Sequence, residues 1–289
     1  MLVYLNGEYL PAERALVPAG DRGFLFGDGV YEVTRAIDGR LFAADRHMRR
    51  LARGLRALAI DVAPAEQEAL LEVSERLLAE NGLAEREAAV YVQITRGAAL
   101  RTHHFPPAGT RPTVYAFAWR LTPIPELRAE GARVVTHPDL RWARCDLKTV
   151  NLLPNVLAKQ KAHEAGAFEA VLVRDGAITE GSHTSIFGVV DGELRTYPLT
   201  HHILPSITRE IVLELAAEAG IEVRQQPIRV EELAHLSEMF LTSTTADVLP
   251  IVSVDGRPVG TGRPGPVAER LYTRLAELMR AGAAQPAGV

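Results

Sequence analysis

Apolar and polar positions along this chain form short blocks separated by turn dipeptides. Asn6-Gly7 lies between strand-like segments at 3–5 and 8–10, and Asp38-Gly39 joins one at 30–37 to one at 40–42. Such pairs predict hairpins. Over 46–58, Met48, Leu51, Leu55 and Leu58 recur at helical spacing. A second helix is predicted from Pro64 to Asn81-Gly82, with proline and glycine at the ends that tolerate them. Strands return at 89–95 and 113–118.

Pro123 and Pro125 then interrupt both patterns, because proline lacks the N–H that a helix interior or a ladder requires. A linker over 121–126 is therefore expected between a smaller domain, 1–120, and a larger one, 127–289. In the larger domain the pattern predicts a helix over 152–165 and strands at 169–173, 185–190 and 193–197, with turns at Asp175-Gly176 and Asp191-Gly192. A helix over 207–219 follows Pro205-Ser206, then come strands at 239–242 and 248–254 and a last helix over 266–279. The small residues after Gly282 predict a loose tail. Hairpins with helices interspersed, and no steady strand–helix alternation, define a two-domain α+β architecture.

Composition changes this picture little. With 47% hydrophobic and 24% charged residues in 289, the chain is an ordinary globular protein. A net charge of -4 argues against nucleic-acid binding, and the absence of any run of 18 apolar residues argues against a spanning helix. The N-terminus turns polar at Asn6, too early for a signal sequence. Cys145, the single cysteine, excludes an internal disulfide and fits a reducing, cytoplasmic location; it reads as a small buried residue. No histidine pattern suggests a metal, and no serine has a nucleophile-elbow context. The glycine-rich run Gly23–Gly29 lacks the lysine and spacing of a phosphate loop.

The basic residues carry more information. Of 32, only three are lysine: Lys148, Lys159 and Lys161. Arginine stays protonated at any useful pH, whereas lysine can lose its proton and attack a carbonyl. Lys148 precedes a predicted helix among apolar neighbours; residue types alone leave it either a chemical lysine or a surface loop residue. Lys159 and Lys161 fall inside the helix and read as solvent-facing.

Two places suit a phosphate. Ser206-Ile207-Thr208 opens a helix, where amides, a hydroxyl and the positive dipole end coincide. Thr242-Ser243-Thr244-Thr245 ends a strand with a second set of hydroxyls and amides. Each also reads as a plain cap or strand end. Arg50 could complete the charge, though periodicity does not separate it from its arginine neighbours. Glu180 falls between strands at a glycine turn, the usual place of a solvated carboxylate. Arg101 and His103 lie in a basic loop that either binds a carboxylate or is incidentally charged.

These residues, in this order, resemble a known family. Arg22-Gly23-Phe24-Leu25-Phe26-Gly27-Asp28-Gly29-Val30-Tyr31-Glu32 resembles the N-terminal signature of class IV, fold-type IV aminotransferases, and Leu147-Lys148-Thr149-Val150-Asn151 resembles their lysine segment. Thr179-Glu180-Gly181-Ser182, Ile207-Thr208-Arg209 and Thr242-Ser243-Thr244-Thr245 are similar to the remaining cofactor motifs. The resemblance implies a small N-terminal α+β domain and a larger domain with a mixed, barrel-like sheet. It implies pyridoxal 5′-phosphate as cofactor, carried by Lys148. It further implies that Arg50, Ile207, Thr208 and Thr244 hold the phosphate, that Ser243 also contacts the cofactor, that Glu180 pairs with the ring nitrogen, and that Leu204 packs on the ring.

Within the family, Tyr31 and the Arg101-x-His103 loop resemble the carboxylate trap of D-amino-acid transaminases, in which the loop reaches across from the other subunit of a homodimer. Val33, His183 and Thr245 join them as substrate contacts by the same resemblance. Branched-chain aminotransferases, which act on L-substrates, carry a tyrosine where this chain has Leu153. Ser185 stands where many relatives have asparagine, and His183-Thr184 replace smaller residues; His183 either narrows the pocket or adds a donor. The expected reaction moves an amino group between D-amino acids such as D-alanine or D-glutamate and 2-oxo acids such as pyruvate or 2-oxoglutarate. The alternatives are a branched-chain L-amino acid aminotransferase, an aminodeoxychorismate lyase on the same fold, and a binding protein that keeps the cofactor motifs.

Overall fold

A computed structural model describes residues 1–284, and the chain divides into two compact units. The first takes residues 1–122 and 147–152; the second takes 123–146 and 153–281.

The first unit begins with β1 (Leu2–Leu5), β2 (Glu8–Pro11), the one-turn helix α1 (Arg22–Phe26), β3 (Gly29–Ile37) and β4 (Arg40–Leu41). It continues with α2 (Ala44–Ala57), α3 (Pro64–Glu80), β5 (Ala88–Thr95) and β6 (Thr113–Arg120). Six antiparallel strands pair in the order β2-β1-β6-β5-β3-β4. Asp38 and Gly39 both take positive φ, at 48° and 77°, as their hairpin turn requires.

One face of this sheet packs on α2 and α3. Val30, Val90, Val92, Ile94 and Ala116 meet Leu51, Leu55, Leu70, Leu77 and Leu78 there. Gly54 permits the close approach, since a Cβ at that position would stand 3.0 Å from Val30 Cγ1. Strand alternation sends Tyr31 and Val33 to the opposite face. There Tyr31, Tyr91, Phe117 and Trp119 form a row of rings at centroid separations of 5.2–5.4 Å.

The second unit opens with α4 (Pro125–Glu130), β7 (Ala132–Pro138), α5 (Leu153–Glu164), β8 (Glu169–Arg174) and β9 (Ala177–Gly181). Next come β10 (Ser185–Val190), β11 (Glu193–Thr196), α6 (Ile207–Glu218), β12 (Val223–Arg224) and β13 (Ile228–Arg229). It ends with β14 (Glu238–Ser243), β15 (Asp247–Val254), β16 (Arg257–Pro258) and α7 (Pro266–Ala284). The mixed sheet runs β12-β11-β10-β14-β15-β7-β8-β9-β13, with β16 beside β15. It curls until β9 and β10 approach one another around a core of Val134, Val171, Ile178, Ile186, Leu241, Leu249 and Ile251.

Four expectations need correcting. Pro125 does not forbid a helix but starts one, because the first helical residue has no use for its N–H. The lysine segment, expected in the C-terminal domain, belongs to the first unit. Thr149 bridges to Val30, the Tyr31 amide donates to the Lys148 carbonyl at 3.0 Å, and the Val150 amide donates to Gly29 at 3.1 Å. Lys159 is half-buried rather than solvent-facing: its Nζ donates to the Phe168 carbonyl and stands 4.7 Å from that ring's centroid. Finally, Gly282–Ala284 continue the last helix, and the rest of the expected loose tail, 285–289, lies outside the described residues.

Candidate active site

In the first unit the predicted residues collect around β3. Glu32 points toward α2 and is 1% exposed. Arg50 grips it with two bonds, Nε to Oε1 at 2.7 Å and Nη2 to Oε2 at 2.8 Å, and His47 Nδ1 lies 2.9 Å from Oε2. His47 and Arg50 are three residues apart, so one helix face delivers both. Burial would raise the Glu32 pKa, but the Arg50 charge and the bonds from Arg50 and His47 outweigh it and hold it at about 2. Burial lowers the His47 pKa, the Arg50 and Lys148 charges add to this, and the Glu32 bond only partly opposes them. His47 is therefore the neutral donor to an ionised Glu32.

Lys148 sits at the edge of this cluster, its Nζ 4.2 Å from the centroid of the Tyr31 ring. Backbone pairing with β3 fixes the segment, and Lys148 is half-buried.

The Arg101–His103 loop is tied to the glycine-rich motif. That motif is a helical turn capped by Asp21, whose Oδ1 accepts from the Gly23 amide at 2.8 Å, and closed by Gly27 at φ 68°. Asp28 accepts from Arg22 Nε and Arg96 Nε, each at 2.8 Å, and Arg22 Nη1 donates to the Thr102 carbonyl at 2.7 Å. Burial opposes ionisation of Asp28, yet the bonds from Arg96 and Arg22 hold its pKa below the usual range. The Arg101 guanidinium lies 4.9 Å from the Phe26 centroid, and the His103 ring 5.7 Å. Both donors thus gather on one aromatic ring while remaining exposed.

In the second unit Glu180 lies within β9, not at a turn, and is buried. This corrects the expectation of a solvated carboxylate: the glycine beside it is itself a strand residue. Arg141 Nη1 donates to Oε1, and the Leu204 amide reaches Oε1 at 3.2 Å and Oε2 at 3.1 Å. Burial pushes the Glu180 pKa up to about 6, with the Arg141 charge and bond pulling against it.

Glu169, which is wholly buried, organises the turn after β9. It accepts from Ser182 Oγ at 2.5 Å and Thr184 Oγ1 at 3.1 Å, and His183 Nδ1 stands 2.9 Å away. Burial again opposes ionisation, but His183, Lys159 and Ser182 together hold Glu169 at about 2. His183 therefore serves this carboxylate as a donor.

At the start of α6 the Ser206 side chain accepts from the Arg209 amide at 3.2 Å. Ile207 and Thr208 are in the first turn, where helical geometry offers their amides no carbonyl. In the turn between β14 and β15, Ser243 Oγ accepts from the Ala246 amide at 3.0 Å, Thr244 is half-buried and Thr245 is exposed.

Each unit by itself carries groups that fit part of pyridoxal phosphate. In the second, first-turn amides beside a hydroxyl at the start of a twelve-residue helix suit a phosphate and a buried carboxylate suits a ring N–H; in the first, a lysine held by backbone pairing suits the aldehyde. Sequence reasoning did not find Glu32, His47, Asp139, Arg141 or Glu169. Only His47 left a trace: it shares the helical face of Leu51, Gly54 and Leu55, and a histidine on such a face has a buried partner.

Residues 29–254 match the family described as amino-transferase class IV, and the chain belongs to it. Its cofactor is accordingly pyridoxal 5′-phosphate. The chain is 39% identical over 281 residues to a D-alanine aminotransferase of Bacillus licheniformis, covering 95% of this chain and 96% of that one. It is 37% identical to a D-alanine aminotransferase of Staphylococcus haemolyticus, covering 93% and 94%. Among solved structures, the branched-chain amino acid aminotransferase of Escherichia coli superposes with a TM-score of 0.86 at 29% identity, covering 96% of this chain and 94% of that one. The complex of a T.th. branched-chain aminotransferase with N-(5′-phosphopyridoxyl)-L-glutamate superposes at 0.85 and 29%, covering 99% and 95%.

Proposed function

We propose that this class IV aminotransferase exchanges amino groups between D-amino acids, D-alanine among them, and 2-oxo acids. The observation that carries this reading is that Arg101 and His103 both rest on Phe26: two exposed donors anchored to one ring suit a substrate carboxylate. Relatives named D-alanine aminotransferase, aligned over nearly the whole chain, support it.

We assign Lys148 to carry the cofactor, Arg50, Ile207, Thr208 and Thr244 to its phosphate, Ser243 to the cofactor beside them, Glu180 to its ring nitrogen and Leu204 to its ring. When bound, pyridoxal phosphate supplies a ring that accepts the electron pair released at the substrate Cα. Lys148 Nζ, once freed, removes the Cα proton and holds it for return. Glu180 accepts the N–H of the ring nitrogen. Tyr31, Val33, Arg101, His103, His183 and Thr245 are assigned to the substrate, where the Arg101 fork fixes the carboxylate and so decides which Cα face meets the lysine. The homodimer, with Arg101 and His103 serving the neighbouring subunit, and a cytoplasmic location complete the proposal.

A branched-chain L-amino acid aminotransferase is the second reading, favoured by the TM-score of 0.86 to such an enzyme. Purified protein with added pyridoxal phosphate would be offered D-alanine or L-leucine as donor to 2-oxoglutarate. Turnover of D-alanine alone is expected; turnover of L-leucine alone would overturn the substrate assignment and leave the family intact.

A further inference from the structure

Arg141 is buried beside Glu180 and donates to it. We propose that Arg141, braced by Asp139, is the positioning residue that keeps Glu180 ionised and leaves its Oε2 the oxygen for the cofactor's ring nitrogen; this rests on assigning Glu180 to that nitrogen.

The guanidinium has two occupied edges. Along one, Nε donates to Asp139 Oδ1 at 2.9 Å and Nη2 to Asp139 Oδ2 at 2.8 Å, a bidentate fork. On the other, Nη1 donates to Glu180 Oε1. Nη2 also donates to the His202 carbonyl at 2.9 Å, two residues before the Leu204 amide that reaches Glu180. Asp139 is itself fixed, accepting from Thr179 Oγ1 at 3.0 Å and lying 3.2 Å from Arg174 Nη2. The group therefore joins the residue before Glu180 on β9 to the strand end after β7 and to the segment ahead of α6. Among the described residues Oε2 accepts only from the Leu204 amide, so it is the less committed oxygen.

A buried carboxylate left alone takes up a proton. A neutral acid would offer a donor where a ring N–H needs an acceptor. Among the described residues, Arg141, Asp139, Cys145 and Arg209 are charged or titratable groups that interact with Glu180. Cys145 is neutral, its thiol pushed up to about 11 by burial. Arg209 is buried and bonded to the Tyr197 carbonyl and Gln225. Arg141 is the cation in direct contact with Glu180, and Asp139 moderates its charge.

The test uses cofactor-free protein. Infrared difference spectra across pH 4–9 follow the protonated carboxyl C=O stretch, and the band that disappears in Glu180→Gln identifies Glu180. In Arg141→Met its midpoint should rise by about 1–3 pH units, the range expected for losing a contacting cation. Arg141→Lys should rise less. Should Arg141→Met alone fail to fold, Asp139→Asn combined with Arg141→Met supplies the comparison when set against Asp139→Asn, whose midpoint it should exceed, because Asp139 itself raises that of Glu180. Cofactor affinity at pH 7, followed by fluorescence quenching, should fall about tenfold for each pH unit by which that midpoint passes 7. An unmoved midpoint in both Arg141→Met and the double variant would overturn the inference. Wild-type cofactor affinity in Glu180→Gln at every pH would instead overturn the assignment of Glu180 to the nitrogen, and with it the role given to Arg141.

Discussion

The ionised Glu32 beneath Arg50 makes a quantitative prediction. Glu32→Gln preserves shape and removes the charge. In the folded protein this carboxylate titrates at about 2, against an ordinary 4.5. The gap corresponds to about 3 kcal/mol of folding stability at neutral pH. With 1% of the side chain exposed, solvent screening does not reduce it. Breaking a buried pair by removing one partner typically costs about 3–5 kcal/mol. Thermal unfolding of the cofactor-free variant at pH 7 should fall by about 5–10 °C. Because the folded pKa is depressed, the stabilisation is complete above pH 4.5 and is lost as pH falls toward 2. Wild type and variant should therefore converge over that window. Saturating pyridoxal phosphate, which returns an anion to Arg50 under the proposed assignment, should narrow the gap at pH 7. A melting difference that stays constant from about pH 7 to about pH 2.5, or none at pH 7, would refute the reasoning.

Three other outcomes are expected. Lys148→Ala should lose borohydride-fixable cofactor, seen as the absence of the added mass in intact-protein mass spectrometry, and unchanged turnover would exclude the mechanism. Arg101→Gln should raise KM for D-alanine by about 10–100-fold, the loss of one charge-assisted contact, and steady-state kinetics would detect it. Ser182→Ala removes a hydroxyl bonded to the buried Glu169 and should cost about 1–2 kcal/mol, read from the urea midpoint of the second unit.

Local chemistry made the elements legible: Asp-Gly turns, helix ends marked by proline and glycine, and apolar periodicity. The proposed cofactor residues were legible because their motifs are contiguous, as in Ile207-Thr208 or Thr242–Thr245. The supporting charges were not. Arg50 meets Glu32 across 18 residues and Arg141 meets Glu180 across 39, and nothing local distinguishes either arginine in a chain so rich in them. Glu180 was misplaced for a related reason. Glycine beside a carboxylate ordinarily marks a turn, but Gly181 holds its place in β9 because a Cβ there would stand 2.0 Å from Thr184 Oγ1. Lys148 was placed in the wrong unit because a β-bridge to Val30 leaves no mark in its own sequence.

Two buried glutamates, both touching arginine, are driven in opposite directions, and partner geometry is the reason. Glu32 receives a full guanidinium edge: both oxygens take N–H groups of Arg50, and His47 adds a third contact. Its charge is thereby permanent, which suits a residue that must hold a cation in place. Glu180 receives one N–H of a guanidinium whose fork is committed to Asp139, and Asp139 itself repels it. Burial then prevails, and the carboxyl titrates close to neutral pH. Under the proposed assignment, a group so balanced would hold a ring N–H without either fully taking its proton or being locked as a bystander anion. The same kind of side chain is thus a fixed anion in one unit and one poised to titrate in the other, and the difference lies in how many of an arginine's donors each one is given.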